Sequence, residues 1–193
     1  KVNLALRVGA PRPDGYHPLA TVFQALSLFD DVGVRQAPAG TYTVRVAGEQ
    51  ADLVPTDGTN LAVRAARLLA SRFGGEDAFG VEIAIRKTIP VTGGMAGGSA
   101  DAAAALVGCS SLWGIDVEPD ELRTLGAELG ADVPFALMGS TALGTGRGDD
   151  LVPVLSRGSY HWVLALPDFE LSTPAVFRRF DELRPTASAQ PPQ

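Results

Sequence analysis

The chain has 193 residues, 46% of them hydrophobic and 20% charged, with a formal net charge of −6 and a pI of about 4.9. That length can bury a hydrophobic core without staples. The acidic balance excludes the basic footprint of a nucleic-acid binder, so any polyanionic ligand must be held by local features. The single cysteine, Cys109, excludes an intrachain disulfide. Its apolar neighbourhood predicts a small buried core residue rather than a reactive thiol. No apolar run is long enough to cross a bilayer, and no signal peptide is visible. The two histidines, His17 and His161, lie far apart, and no His/Cys cluster has metal-ligand spacing. A soluble, reducing, cytoplasmic setting is expected.

In chain order, residues 2–9 alternate with β character, and 11–18 (PRPDGYHP) are turn chemistry. Residues 19–36 read as one or two strands with a bend near Asp30 and Asp31, and 41–48 alternate as a strand. A helix is predicted from a cap at Thr59 or Asn60 to the stop at Gly74 and Gly75, with Leu61, Ala65, Leu68 and Leu69 on one face. A strand over 80–87 leads into a glycine loop, and a helix runs from about 99 to 113. A third helix opens with Pro119 in its first turn and ends at Gly130, with Leu122, Leu125 and Leu129 sharing a face. Residues 140–154 read as short strands around a glycine turn. Residues 160–167 read as a buried strand, and 172–183 as a helix with Thr173 as cap and Pro174 at its first position. The Pro/Ala/Gln-rich tail is expected to be disordered. The break at 156–160 predicts a boundary between 1–156 and 157–193.

Strand, glycine loop, helix is the arrangement that aims unused backbone N–H groups and a helix dipole at an anion. The loop here is Pro90-x-x-Gly93-Gly94-Met95-Ala96-Gly97-Gly98-Ser99-Ala100. It is not a Walker A loop, because Ser99 stands where that motif needs lysine. It is not a Rossmann fingerprint, because Met95 and Ala96 interrupt the glycines. A ligand-free surface turn is the plainer reading of glycine richness alone. The fuller pattern, with Asp101, Ala102 and Ala103, resembles the phosphate-binding loop of the GHMP kinases (galactokinase, homoserine kinase, mevalonate kinase and relatives). The resemblance implies that backbone amides and a serine hydroxyl wrap the ATP phosphates with no Walker lysine.

Three segments are similar to one branch of that family, the kinases of 4-diphosphocytidyl-2-C-methyl-D-erythritol. They are the opening segment with Lys1, Asn3, Leu4, Asp14-Gly15-Tyr16-His17, Phe23 and Gln24; the Gly97-Gly98-Ser99-Ala100-Asp101 form of the loop; and Gly130-Ala131-Asp132-Val133-Pro134-Phe135. The implied fold is α+β, an N-terminal domain like domain 2 of ribosomal protein S5 plus the start of a ferredoxin-like C-terminal domain. The implied chemistry is phosphorylation of the 2-hydroxyl of that cytidine diphosphate sugar-alcohol, a step of non-mevalonate isoprenoid synthesis. Its small-molecule substrates are that alcohol and ATP, with Mg²⁺ and without nucleic acid or membrane; the oligomeric state stays open. Alternatives are a homoserine- or mevalonate-type GHMP kinase and a non-catalytic nucleotide-binding module.

The resemblance also implies roles. Asp132, otherwise a turn residue or cap, becomes the base for the substrate hydroxyl, and Lys1, otherwise a solvated lysine, stabilises charge beside it. Asn3, Tyr16 and His17 become substrate-binding residues, with His17 and Tyr16 on the cytosine. Phe177, otherwise core, packs on the same ring, and Thr173, otherwise a cap, touches substrate. Asn60, Lys87 and the loop residues Pro90, Gly93, Gly94, Met95, Ala96, Gly97, Gly98, Ser99 and Ala100 bind ATP, with Ser99 near the phosphates or Mg²⁺. Asp101 has a sufficient reason in the helix dipole. Arg147-Gly148-Asp149 reads as a plain turn. The family's third motif, a glycine-serine-glycine-proline-threonine loop, does not occur, and Gly158-Ser159 does not replace it. The chain is therefore expected to be part of a longer protein, with further residues before Lys1.

Overall fold

The structure is a computed structural model that describes residues 1–91, 93–166 and 172–183. Among these, the strands are β1 (Val2–Val8), β2 (Leu19–Gln24), β3 (Asp31–Gln36), β4 (Tyr42–Gly48), β5 (Val81–Lys87), β6 (Thr141–Thr145) and β7 (Asp150–Pro153). The α-helices are α1 (Leu61–Phe73), α2 (Gly97–Trp113), α3 (Pro119–Leu129), α4 (Val133–Met138) and α5 (Thr173–Leu183). The chain divides into two compact units: Lys1–Ala25, Thr92–Met95 and Gly139–Gln193 form one, Leu26–Val91 and Ala96–Met138 the other. Both mix strands and helices, so the α+β expectation holds.

The first unit is built on a four-stranded sheet in the order β1-β2-β6-β7, antiparallel throughout. Asp14, Gly15 and their prolines make the turn that sends β2 back along β1. Gly15 takes φ +82°, and the Tyr16 N–H donates to Asp14 Oδ1 at 3.0 Å, so the turn uses its own carboxylate to satisfy its backbone. The turn between β6 and β7 is tied to β2 by Leu19 N–H donating to the Gly146 carbonyl at 2.8 Å.

The second unit has a three-stranded sheet in the order β3-β5-β4, with β3 antiparallel and β4 parallel to β5. A parallel pair needs a crossover, and α1 supplies it. Val81, Ile83 and Ile85 face inward along β5 with Val44, and the buried sides of α1 and α2 complete the core. Alanines dominate both helix faces (Ala62, Ala65, Ala66 and Ala102, Ala103, Ala105), which lets the two backbones come close around Leu69 and Leu106. Cys109 is fully buried in this core, and burial pushes its thiol up to about 12, which makes it inert.

The structure corrects several expectations. Of the one or two strands expected over 19–36 the structure has two, in different units, and the break covers 25–30 rather than a bend at Asp30 and Asp31. Helix α2 begins at Gly97, because Ala96 already accepts from the Ala100 N–H at 3.0 Å. Helix α4 follows Asp132 where the sequence patterns offer no element; Pro134 is tolerated in it because first-turn N–H groups need no helical partner. The cap of α5 is Ser172, whose carbonyl accepts from Val176 N–H at 3.0 Å, so Thr173 is the first helical residue. Residues 160–166 are neither a strand nor buried: Val163 is 98% exposed. A strand needs a partner for its N–H and C=O groups, and none pairs with this segment among the described residues. Pro167 and the tail from 184 onward lie outside the described residues.

Candidate active site

The glycine loop delivers the chain into the start of α2. Gly94 takes φ +68°, and Ala96 takes the left-handed conformation at φ +61°. Ala96 is the N-cap residue and makes no side-chain cap hydrogen bond, so the N–H groups at Gly97, Gly98 and Ser99 stand at the positive end of a 17-residue helix without a cap from that position. Gly98 is exposed; Gly97, Ser99 and Ala100 are half-buried. A Cβ on Gly97 would lie 3.1 Å from Lys87 Nζ and 3.2 Å from Ile89 Cγ2, so only glycine fits there without a shift. Gly93 and Gly94 are exposed, Pro90 is half-buried and Met95 buried. This is the donor set that a phosphate chain requires.

Beneath that helix start lies a cluster that the residue types did not announce. Lys87, at the inward end of β5, places its ammonium 2.8 Å from Asp101 Oδ2 and 2.5 Å from Asp30 Oδ2. The three side chains are 2%, 4% and 1% exposed. Asp30 also accepts from the Thr88 and Ile89 N–H groups through Oδ1, at 2.5 and 2.8 Å. Burial raises the Asp30 carboxyl, but the Lys87 hydrogen bond, the two backbone donors and the Lys87 charge outweigh it, and the net shift is downward. Asp101 goes the other way: burial pushes it up to about 6 against the pull of Lys87, and its Oδ1 has no hydrogen-bond partner. Lys87, which the resemblance puts on the ATP side, commits its ammonium to two carboxylates. Asp101 answers this lysine; with α2 starting at Gly97 it lies beyond the first turn, so the helix dipole does not account for it. Asn60 caps α1 by accepting from Ala62 N–H at 2.9 Å and donates to the Pro55 carbonyl at 2.7 Å.

In the first unit, His17 and Phe177 come together from opposite ends of the chain. Their rings stack at 4.8 Å with 22° between planes, and Phe180 meets His17 edge-on at 6.4 Å. His17 Nδ1 lies 2.8 Å from the Gly9 carbonyl; a carbonyl only accepts, so Nδ1 carries the proton. Nε2 faces Asp181 Oδ2 at 3.3 Å. Tyr16 is 55% exposed beside it, and Thr173 is exposed. Lys1 donates through Nζ to Asn3 Oδ1 at 3.0 Å, and Asn3 Nδ2 donates to Thr21 Oγ1 at 2.6 Å. The Lys1 backbone nitrogen reaches the Met95 carbonyl at 3.3 Å. Asp132 is half-buried just before α4, and its carbonyl accepts from the Ala136 N–H at 3.1 Å. Lys1 and Asp132 belong to different units.

Residues 60–140, from the Asn60 cap through α4, match the family described as GHMP kinases N terminal domain. The chain is 59% identical over 193 residues to the 4-diphosphocytidyl-2-C-methyl-D-erythritol kinase of Rhodococcus jostii, covering 100% of this chain and 60% of that one. It is 62% identical over 184 residues to the protein of the same name in Nocardia farcinica, covering 95% and 59%. Its fold matches a crystal structure of 4-(cytidine 5'-diphospho)-2C-methyl-D-erythritol kinase at a TM-score of 0.67 and 35% identity, covering 92% of this chain and 60% of that chain. The chain thus spans about 60% of the length of these relatives. With the start of α2 inside the matched segment and this identity running along the chain, residues 60–140 carry the GHMP kinase N-terminal domain.

Proposed function

We propose that the whole protein transfers the γ-phosphoryl group of ATP to the 2-hydroxyl of 4-diphosphocytidyl-2-C-methyl-D-erythritol, giving ADP and the 2-phosphate. The observation that carries this reading is the His17–Phe177 stack. A planar pair with one ring nitrogen anchored on a backbone carbonyl suits recognition of a flat base bearing hydrogen-bonding edges. The names of the relatives at 59–62% identity point to the same substrate.

In this reading the N–H groups of Gly97, Gly98 and Ser99 hold the ATP phosphates, and Asn60 and Lys87 support that side. Asp132 takes the proton of the attacking hydroxyl, and Lys1, oriented by Asn3, stabilises the charge that develops. Tyr16, His17, Thr173 and Phe177 hold the cytidine end. Mg²⁺ would be held mainly through the substrate phosphates, and the Ser99 hydroxyl is the protein oxygen assigned to it in this reading. When bound, the ion neutralises charge on the transferred group. The Asp101 carboxylate is held by Lys87 and is not assigned to the metal. Residues 1–156 and 157–193 are carried as an N-terminal domain and the start of a C-terminal one. Among the described residues no helix is long and apolar enough to cross a membrane, and a cytoplasmic enzyme is proposed.

The test is calorimetric titration of the whole protein with CDP and with homoserine. Saturable binding of CDP that His17→Ala weakens supports the reading; binding of homoserine without CDP overturns it.

A further inference from the structure

The tripeptide Arg147-Gly148-Asp149 has no part in the reaction proposed above, yet the structure gives it a definite partner. It lies in the turn between β6 and β7, where Gly146 and Gly148 take φ +68° and +98°. Both conformations are ones that glycine adopts without strain. The Gly146 carbonyl accepts from Leu19 N–H at 2.8 Å, and the Gly148 N–H donates to the Thr145 carbonyl at 2.9 Å. The turn is therefore pinned against the residue that follows the 11–18 loop.

Asp149 then fixes the arginine. Arg147 Nη2 and Nε donate to Asp149 Oδ2 at 2.7 and 3.1 Å, and the Arg147 N–H donates to Oδ1 at 3.2 Å. Two guanidinium donors on one carboxylate set the plane of the guanidinium as well as its place. Its central carbon lies 5.5 Å from the centroid of the Tyr16 ring, within cation–π range. The Tyr16 backbone is held at both ends, by its N–H on Asp14 Oδ1 and by its carbonyl accepting from Arg12 N–H at 2.8 Å. What stays adjustable is the side-chain torsion of a ring that is 55% exposed. The Arg147 guanidinium restrains it from one face.

We propose that Arg147 is a positioning residue that holds the Tyr16 ring as a ready-made platform for the cytosine of the substrate. The inference rests on the base-binding reading of Tyr16 given above. Fixing an aromatic side chain before the ligand arrives removes an ordering cost from binding. The effect therefore belongs to the affinity for the cytidine end and not to the phosphoryl transfer.

The experiment is steady-state kinetics on the whole protein, varying the diphosphocytidyl alcohol and ATP separately. Arg147→Ala raises the KM for the alcohol by roughly fivefold, the size of one cation–π contact. Its kcat and its KM for ATP stay within about twofold of the parent. Arg147→Lys, which keeps the charge without the planar fork, recovers part of the loss. In a Tyr16→Ala background, Arg147→Ala has no further effect, because its partner is gone. A silent Arg147→Ala beside a damaging Tyr16→Ala overturns the positioning role alone. An Arg147→Ala effect that persists undiminished without Tyr16, or that falls equally on ATP, also overturns it. A Tyr16→Ala variant with unchanged KM overturns the base-binding reading and the inference together.

Discussion

Lys87 Nζ lies 2.8 Å from Asp101 Oδ2 with both side chains almost fully buried, and Asp30 closes the cluster from the other side. One cation serves two carboxylates at the first turn of α2, where a Cβ on Gly97 would lie 3.1 Å from it. A buried charge is costly unless it is paired, so each member of the cluster depends on the others. The cluster joins β5, the segment before β3 and α2, and so fixes the helix start whose N–H groups form the cradle.

Lys87→Met removes the shared cation and leaves two buried carboxylates facing each other. The expected loss is about 3–5 kcal/mol of unfolding free energy, measured by urea denaturation. A loss below about 1 kcal/mol would mean that the cluster contributes no more than an exposed ion pair.

Asp101 sets a pH dependence. Its folded-state carboxyl is raised to about 6 from an ordinary value of 3.8. A raised carboxyl contributes stability that is present below the unfolded value and lost as pH rises through the folded one. The lowered Asp30 carboxyl acts in the opposite sense, its contribution falling away only in more acidic solution. Compared with Asp101→Asn, the parent protein should therefore lose on the order of 3 kcal/mol between about pH 4 and pH 7. Chemical denaturation of both proteins across that range checks it, and parallel curves would contradict it.

His17→Ala removes the ring that stacks on Phe177 and the proton that Nδ1 gives to Gly9. The KM for the diphosphocytidyl alcohol should rise roughly tenfold or more, while that for ATP moves less than about twofold. Equal changes in both would assign His17 to holding the turn rather than the base.

Asp132→Ala should reduce kcat by about 10³-fold or more, with ATP affinity nearly unchanged by equilibrium titration. Near-parental turnover would remove Asp132 as the base.

Much of this architecture was legible in the residues, because local signals carry it. The Asn60 cap, Pro119 in a first turn, and the stops at Gly74 and Gly130 fell where the sequence patterns placed them. Period-two alternation along β5 runs Val81, Ile83, Ile85 inward, and the same period turns Lys87 inward too. That was the available sign of a buried lysine in need of acidic partners. Its partners could not be named, since Asp30 lies 57 residues away and Asp101 looked like an ordinary first-turn carboxylate. Residues 160–166 misled for the opposite reason: apolar β-formers specify a strand only where a partner edge exists. The stack of His17 on Phe177 joins two distant segments and is a tertiary fact, although both residues were picked out individually.

The central claim is the reaction, and its most direct test is release of ADP by the whole protein when ATP is offered with the diphosphocytidyl alcohol, with homoserine or with mevalonate. ADP release with the cytidine substrate alone is expected. Turnover of homoserine or mevalonate instead, or ATP binding without turnover of any of the three, would contradict it.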